Sequence, residues 1–149
     1  NTTLTVADND VIWLLVTAQD GTKLYYKITV TVSVPITVST NENDTNVMMQ
    51  EDNKTAKVDD VFEFTLTNCE LKENLGTPTH VITFDSLPAG MEYTVANSSG
   101  KLVVTLSVPA SAAIDADIQM SAVIHPAAVI GSGVAVSAPI AVTLQKYQQ

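Results

Sequence analysis

Paired acidic residues are the side chains of this sequence best suited to a chemical role, because calcium prefers carboxylate and carbonyl oxygens as ligands. Asp115 and Asp117 stand two positions apart in an alternating segment, so we expect them to share one face of a strand and to act as co-ligands. Further acids stand at positions 8, 10, 44, 51–52 and 59–60. None has the spacing of a calcium-binding loop, so solvated surface acids are the competing interpretation. No other cofactor is predicted.

Residues for catalysis do not come together in the sequence. His80 and His125 have no metal-ligand spacing with each other or with Cys69. The cysteine has no basic neighbour except Lys72, so nothing implies an activated thiol. The sequence also contains no G-x-S-x-G turn and no phosphate-binding glycine loop. It therefore predicts a protein that is not an enzyme.

The charge and cysteine content restrict the partner and the compartment. Seven lysines, no arginine and sixteen acids give a net charge of −9, which argues against nucleic acid as a partner. A single cysteine allows no internal disulfide. The chain has no long uncharged apolar run for membrane insertion, and its first ten residues do not have a signal-peptide pattern. We expect an extracellular bacterial protein, whose signal was removed or lies upstream.

Alternation with a period of two residues dominates the chain and predicts an all-β fold. Residues 35–149 contain about seven strands at near-regular spacing, which is typical of an Ig-like Greek-key β-sandwich. Residues 114–124 are predicted to form one strand, with Asp115 and Asp117 facing outward. Residues 134–144 are predicted to form the last strand, with Pro139 facing outward at an edge or a bulge.

Residues 1–34 are predicted to hold a β-hairpin in the segment VTAQDGTKLYYKITVTV, Val16 to Val32. A three-residue turn with a glycine bulge at 19–21 would place Val16 opposite Leu24 and Leu14 opposite Tyr26. A two-residue turn would shift the register and move every side chain to the other face. We favour the bulge, because x-D-G after a residue other than glycine suits it.

With the bulge, one face of the hairpin carries exposed apolar side chains. Trp13, Leu15 and Tyr25 then share the outer face, while 12, 14 and 16 face a core. An exposed apolar patch usually marks an interface or, with aromatic rings, a platform on which sugars stack. Cover by a neighbouring domain is the competing interpretation.

Two segments resemble modules of bacterial surface proteins. The T-A-x-D-G-T turn and the Y-x-I-T-V-T-V strand within residues 9–33 resemble the C-terminal hairpin of a cadherin-like repeat. The strand before the turn departs from that pattern at 13–15, which reads Trp-Leu-Leu. Residues 60–144, with FTLTN, LPAGM and APIAVTL, are similar to tandem Ig-like modules. The hairpin is then either part of a repeat whose front half is missing from this sequence, or a pair of strands added to the following sandwich or to another chain.

These observations predict a non-catalytic structural or adhesive module of a bacterial cell-surface or secreted protein, acting as a rigid spacer and an interaction surface. One alternative is a carbohydrate-binding accessory module that uses Trp13 and the tyrosines. Another is a fibre or pilus-type subunit that assembles by strand donation. The expected partners are neighbouring domains or subunits of the same surface protein, with a glycan or a host protein as further candidates.

Overall fold

The computed structural model describes residues 4–7, 9–131 and 133–148, without the side chain of Glu42. Asp8, one of the acids considered above, lies outside the described residues. The chain divides into two compact units, Asn1–Val34 and Pro35–Gln149. Strands make up almost all of the regular structure, and the α-helix found among the described residues, α1 (Pro78–Val81), has four residues. Among the described residues, no helix has the length and apolar character needed to cross a membrane.

The first unit contains a two-stranded antiparallel sheet of β1 (Val11–Thr17) and β2 (Lys23–Thr29). The N–H of Gly21 donates to the carbonyl of Ala18 over 3.0 Å, and Gly21 has a φ of 86°. Glycine adopts this left-handed conformation without steric cost, which allows the bulge. Val16 pairs with Leu24 and Leu14 pairs with Tyr26, so the predicted register is confirmed.

The second unit contains the remaining strands, in two four-stranded sheets and one small sheet. The strands are β3 (Val34–Pro35), at the boundary between the units, and then β4 (Val38–Ser39), β5 (Asn46–Met48), β6 (Phe62–Leu66), β7 (Ile82–Phe84), β8 (Glu92–Ser98), β9 (Lys101–Val108), β10 (Ile118–Ile124), β11 (Val134–Ala135) and β12 (Ile140–Gln145). Short 3-10 helices lie at Glu42–Thr45 and Pro126–Ala128.

The strand order confirms the predicted Ig-like sandwich. One sheet has the order β4-β6-β9-β8 and the other has the order β5-β12-β10-β7. These orders correspond to the ABED and CFG sheets of the immunoglobulin fold. The additional strand β5 pairs in parallel with β12, with Val47 opposite Leu144. β7 and β8 are terminal strands of their sheets, and β8 has seven residues without lysine or proline.

Alternating side chains of both sheets form the core between them. Phe62 and Phe64 of β6 are fully buried, as are Val47 and Leu144 from the opposite sheet. Burial of each such side chain contributes roughly 1.5–3 kcal/mol relative to exposure. The hydroxyl of Tyr93 donates to the carbonyl of Ile82 over 2.6 Å and so connects β8 to β7.

Two predicted strands are shorter than the alternation suggests. β10 begins at Ile118, so the prediction that Asp115 and Asp117 lie on one strand is wrong. The N–H of Ile114 donates to the carbonyl of Asn53 over 2.9 Å, which holds this part of the chain in a loop contact instead of the sheet.

The predicted last strand is interrupted between β11 and β12. Ser137 is buried here, with its hydroxyl accepting the N–H of Ile124 and its own N–H donating to the Ile124 carbonyl, both over 2.9 Å. Val136, in the interrupted part, is exposed. Pro139 is exposed directly before β12, as its missing N–H requires.

Candidate ligand-binding face of the hairpin

The register of the hairpin brings the three predicted site residues together on one face. Trp13 lies opposite Lys27, and Leu15 lies opposite Tyr25. Since directly opposed residues of an antiparallel pair point to the same side, Trp13, Leu15 and Tyr25 are neighbours. We call this side the outer face, which consists of Val11, Trp13, Leu15, Thr17, Lys23, Tyr25, Lys27 and Thr29.

The two aromatic rings of the outer face are accessible. Trp13 and Tyr25 each have a relative exposure of 63%, and Leu15 has 45%. Among the described residues, ring-to-ring contacts join Phe84 to Phe62 and to Tyr93. The indole of Trp13 and the phenol of Tyr25 therefore do not stack on each other. Each ring is accessible to a ligand.

The outer face is also cationic, although the chain as a whole is acidic. It carries Lys23 and Lys27 and no acid, and thirteen of the sixteen acids stand in the second unit. Among the described residues, neither lysine forms an ion pair; the salt bridge found there joins Lys101 to Glu63 over 2.8 Å. The nearby Asp20 belongs to the turn, where the N–H and hydroxyl of Thr22 lower the pKa of its carboxyl. Sequence reasoning missed these lysines, although the period of two already placed them beside Trp13.

The opposite side of the hairpin, which we call the inner face, is entirely apolar. It consists of Ile12, Leu14, Val16, Leu24, Tyr26 and Ile28. These side chains were expected to face a core, yet all except the partly buried Ile12 are exposed. A two-stranded sheet has no second layer of its own and is marginally stable alone. The inner face is thus a surface that requires cover.

Three of the acidic residues considered as calcium ligands accept hydrogen bonds from other parts of the chain or from their own loop. Asp117 accepts the backbone N–H of Lys146 over 2.8 Å, and Asp115 is exposed in the loop before β10. Asp60 accepts the N–H of Met48 over 2.8 Å, and Asp52 accepts three donors from residues 54–55. Over the described residues, no group of three or more potential metal ligands is found. Calcium binding at Asp115 and Asp117 stays a prediction.

Neither histidine nor the cysteine belongs to a group of potential metal ligands among the described residues. The imidazole Nε2 of His125 lies 2.9 Å from the hydroxyl of Thr83, and His80 is exposed in α1. Cys69 is partly buried, and this burial raises the pKa of its thiol, which disfavours the reactive thiolate.

Among the described residues of the sandwich, sequence reasoning did not find the open clefts, of which two are larger than 500 Å³. One, of about 680 Å³, is lined by Cys69, Glu70, Leu71, Glu73, Asn97, Ser99 and Gly100. The other, of about 510 Å³, lies beside the terminal strands β7 and β8 and includes Phe84, Met91 and Tyr93. The first cleft is lined by residues 69–73 and 97–100, which are distant in the sequence, so no local pattern indicates it.

Comparison with solved structures identifies a similar module. The chain matches part of the chitinase ChiW from Paenibacillus sp. str. FPU-7, described as a bacterial cell-surface-expressed multi-modular enzyme machinery. The match has a TM-score of 0.58 and 25% identity, and covers 75% of this chain. It spans 13% of the chitinase chain, so the likeness is to one portion of that protein. No protein-family model and no curated protein matches.

Proposed function

We propose that this chain is a non-catalytic accessory module of a bacterial cell-surface or secreted protein, and that its sandwich is a tension-bearing spacer between neighbouring domains. The similarity to a small portion of a multi-modular cell-surface chitinase supports the first part. The parallel pairing of β5 with β12 supports the second and is the observation on which the spacer rests.

This pairing joins the beginning of the sandwich directly to its end. Asn46 lies opposite Thr143 and Met48 lies opposite Gln145, and the N–H of Met49 donates to the carbonyl of Gln145 over 2.8 Å. Two parallel strands that are pulled from opposite ends slide along each other, so all their hydrogen bonds are loaded at once. In the antiparallel hairpin β1–β2, pulling at the two ends opens the bonds one after another. The sandwich should therefore resist force far better than the hairpin.

Single-molecule force spectroscopy tests the spacer. The whole chain is placed in series with a reference domain and extended from its ends. We expect the sandwich to unfold in one step at high force, and the hairpin to open earlier at low force. Release of residues 35–149 adds at most about 380–410 Å of contour length, at 3.3–3.6 Å per residue.

A matched pair of variants isolates the backbone bond. Met49→Pro and Met49→Ala both remove the buried side chain, but only the proline removes the N–H that donates to Gln145. We expect the proline variant to unfold at a clearly lower force than the alanine variant. Equal forces for both variants, or a wild-type sandwich that opens at the force of the hairpin, would show that β5–β12 is not the mechanical element.

Light scattering separates this proposal from the fibre alternative. A spacer is a monomer near 15.8 kDa at micromolar concentration. Polymers that persist on dilution would instead favour strand donation, in which the hairpin completes the sheet of another copy.

A further inference from the structure

We propose that the outer face of the hairpin binds an acidic polysaccharide. In this arrangement Trp13 and Tyr25 stack on the apolar faces of sugar rings, and Lys23 and Lys27 neutralise the carboxylates of the polymer. The site lies on β1 and β2 and not on the sandwich. A chain that does not bind the polysaccharide would therefore not refute the spacer proposal, and a sandwich without mechanical resistance would not refute the binding proposal.

The distribution of side chains decides which face of the hairpin remains for a ligand. Every residue of the inner face is apolar, so this is the side that a second layer must cover. The outer face carries four polar side chains among its eight residues, namely Thr17, Lys23, Lys27 and Thr29. A mixed surface of this kind is suited to solvent and to a polar ligand.

The spacing of the aromatic side chains suits a chain of linked rings. Trp13 and Tyr25 occupy diagonal positions across the two strands, which places their Cα atoms about 7–8 Å apart. Neither ring is covered, and both have an apolar face with a polar edge. Two such rings side by side can contact successive sugars of an extended polymer, while Leu15 fills the space between Trp13 and Thr17 along β1.

Charge complementarity selects the acidic class among polysaccharides. Lys23 and Lys27 flank Tyr25 along β2, each roughly 7 Å away at 3.4 Å per residue. The face itself holds two lysines and no acid, while Asp20 stands in the adjoining turn, three residues from Lys23; salt at physiological strength screens charges beyond about 8 Å. The protein has no arginine for a bidentate clamp, and lysine acts as a point charge. Two separate point charges fit carboxylates distributed along a polymer better than they fit one compact anion.

Fluorescence titration of the 149-residue chain tests the site, because Trp13 is the single tryptophan and lies within the face. The probe is an oligogalacturonate, and the control is its methyl ester, which has the same rings without the charges. We expect saturable quenching of Trp13 by the acid, at least tenfold weaker binding of the ester, and a loss of affinity as salt increases.

Variants assign the binding to the outer face. Removal of both lysine charges in Lys23→Gln/Lys27→Gln should weaken binding about tenfold, given at most about a fivefold effect for each exposed charge pair. The matched control Lys54→Gln/Lys57→Gln removes two charges from the second unit and should change nothing. Trp13→Ala, measured by calorimetry because it lacks the fluorophore, should bind at least tenfold more weakly.

Three outcomes would overturn the proposal. Trp13 emission that does not change at millimolar oligogalacturonate would show that the face takes no such ligand. Equal affinity for the acid and the ester would make the face a neutral-sugar platform instead. An equal loss in the Lys54/Lys57 control would place the binding elsewhere or make it a general charge effect.

Discussion

Substitution of Gly90 by alanine should destabilise the sandwich more than substitution of Gly100, because two separate costs combine at Gly90. The N–H of Met91 donates to the carbonyl of Pro88 over 3.0 Å, and Gly90 at the third position of this turn has a φ of 81°. A type II turn requires this conformation. The carbonyl of Ala89 accepts the N–H of Ser111 over 2.8 Å, which ties the turn to the loop after β9.

The magnitude follows from these two costs. An alanine with positive φ costs roughly 1–2 kcal/mol in the folded state. Its Cβ would also lie 2.2 Å from the hydroxyl of Ser111, 3.3 Å from the Ser111 Cβ and 3.2 Å from the Ser111 nitrogen. The Ser111 hydroxyl can rotate away. The Ser111 Cβ and nitrogen can move only if the hydrogen bond from the Ser111 N–H to the Ala89 carbonyl weakens, which costs roughly 0.5–1.5 kcal/mol of folding free energy. Since alanine restricts the unfolded chain by about 0.4–1 kcal/mol, the net loss should be about 0.5–3 kcal/mol.

Gly100→Ala is the matched control, because Gly100 has a φ of 84° and no atom within 4 Å of an added Cβ. Urea unfolding followed by circular dichroism gives both free energies of unfolding, whereas Trp13 reports on the hairpin. We expect Gly90→Ala to lose about 1 kcal/mol more than Gly100→Ala, at unchanged slope. Equal losses would refute the argument from the contact with Ser111 and leave backbone conformation as the whole effect.

Three further outcomes can be measured on the same chain. Ser137→Ala leaves the N–H of Ile124 without its acceptor in the core and should cost about 1–3 kcal/mol in urea unfolding; no loss would mean that the bond is dispensable. Hydrogen bonds from the hydroxyl of Thr55, and then from the N–H groups of residues 54 and 55, lower the pKa of the Asp52 carboxyl in the folded state. The ionised carboxylate of Asp52 therefore stabilises the fold above pH 3.8, and this contribution is lost as the pH falls through the lower pKa of the folded state. Asp52→Asn should therefore flatten the stability profile in that acidic range, and an unchanged profile would contradict this. Burial raises the pKa of Cys69 above 9.0, so iodoacetamide should react more slowly with the folded chain than with the urea-unfolded chain near pH 8; equal rates would contradict this.

The sequence predicts best where one local rule decides the structure. The glycine at position 21 determined the turn, the turn determined the register, and the register placed Trp13, Leu15 and Tyr25 together. The alternation of Phe62 and Phe64 likewise predicted a core strand, and both side chains are buried. In each case the determining residues are neighbours in the chain.

Prediction from the sequence is wrong where a contact between residues far apart in the chain determines the local structure. The alternation continues through residues 114–117, but the hydrogen bond from the N–H of Ile114 to the carbonyl of Asn53 keeps this segment in a loop. β10 therefore begins only at Ile118, and Asp115 and Asp117 lie outside it. Ser137 is buried because its hydroxyl accepts the N–H of Ile124 in place of a backbone carbonyl. The residues around Ser137 show no pattern that would predict this contact. Two of the carboxylates considered as metal ligands accept backbone N–H groups that lie elsewhere in the chain, Asp60 from Met48 of β5 and Asp117 from Lys146.

The terminal position of β8 has a consequence for how copies of this protein behave at high concentration. A long terminal strand is a template for continuous sheet growth unless lysine, proline or a bulge blocks it. Here the irregular pairing between Glu92 and Tyr93 and the charge of Glu92 protect one end, while Thr94 to Ser98 carry no charge. Within the sandwich, self-association of crowded or partly unfolded copies should therefore begin along this segment. A single lysine at the exposed position of Ala96 should suppress such aggregation without disturbing the core.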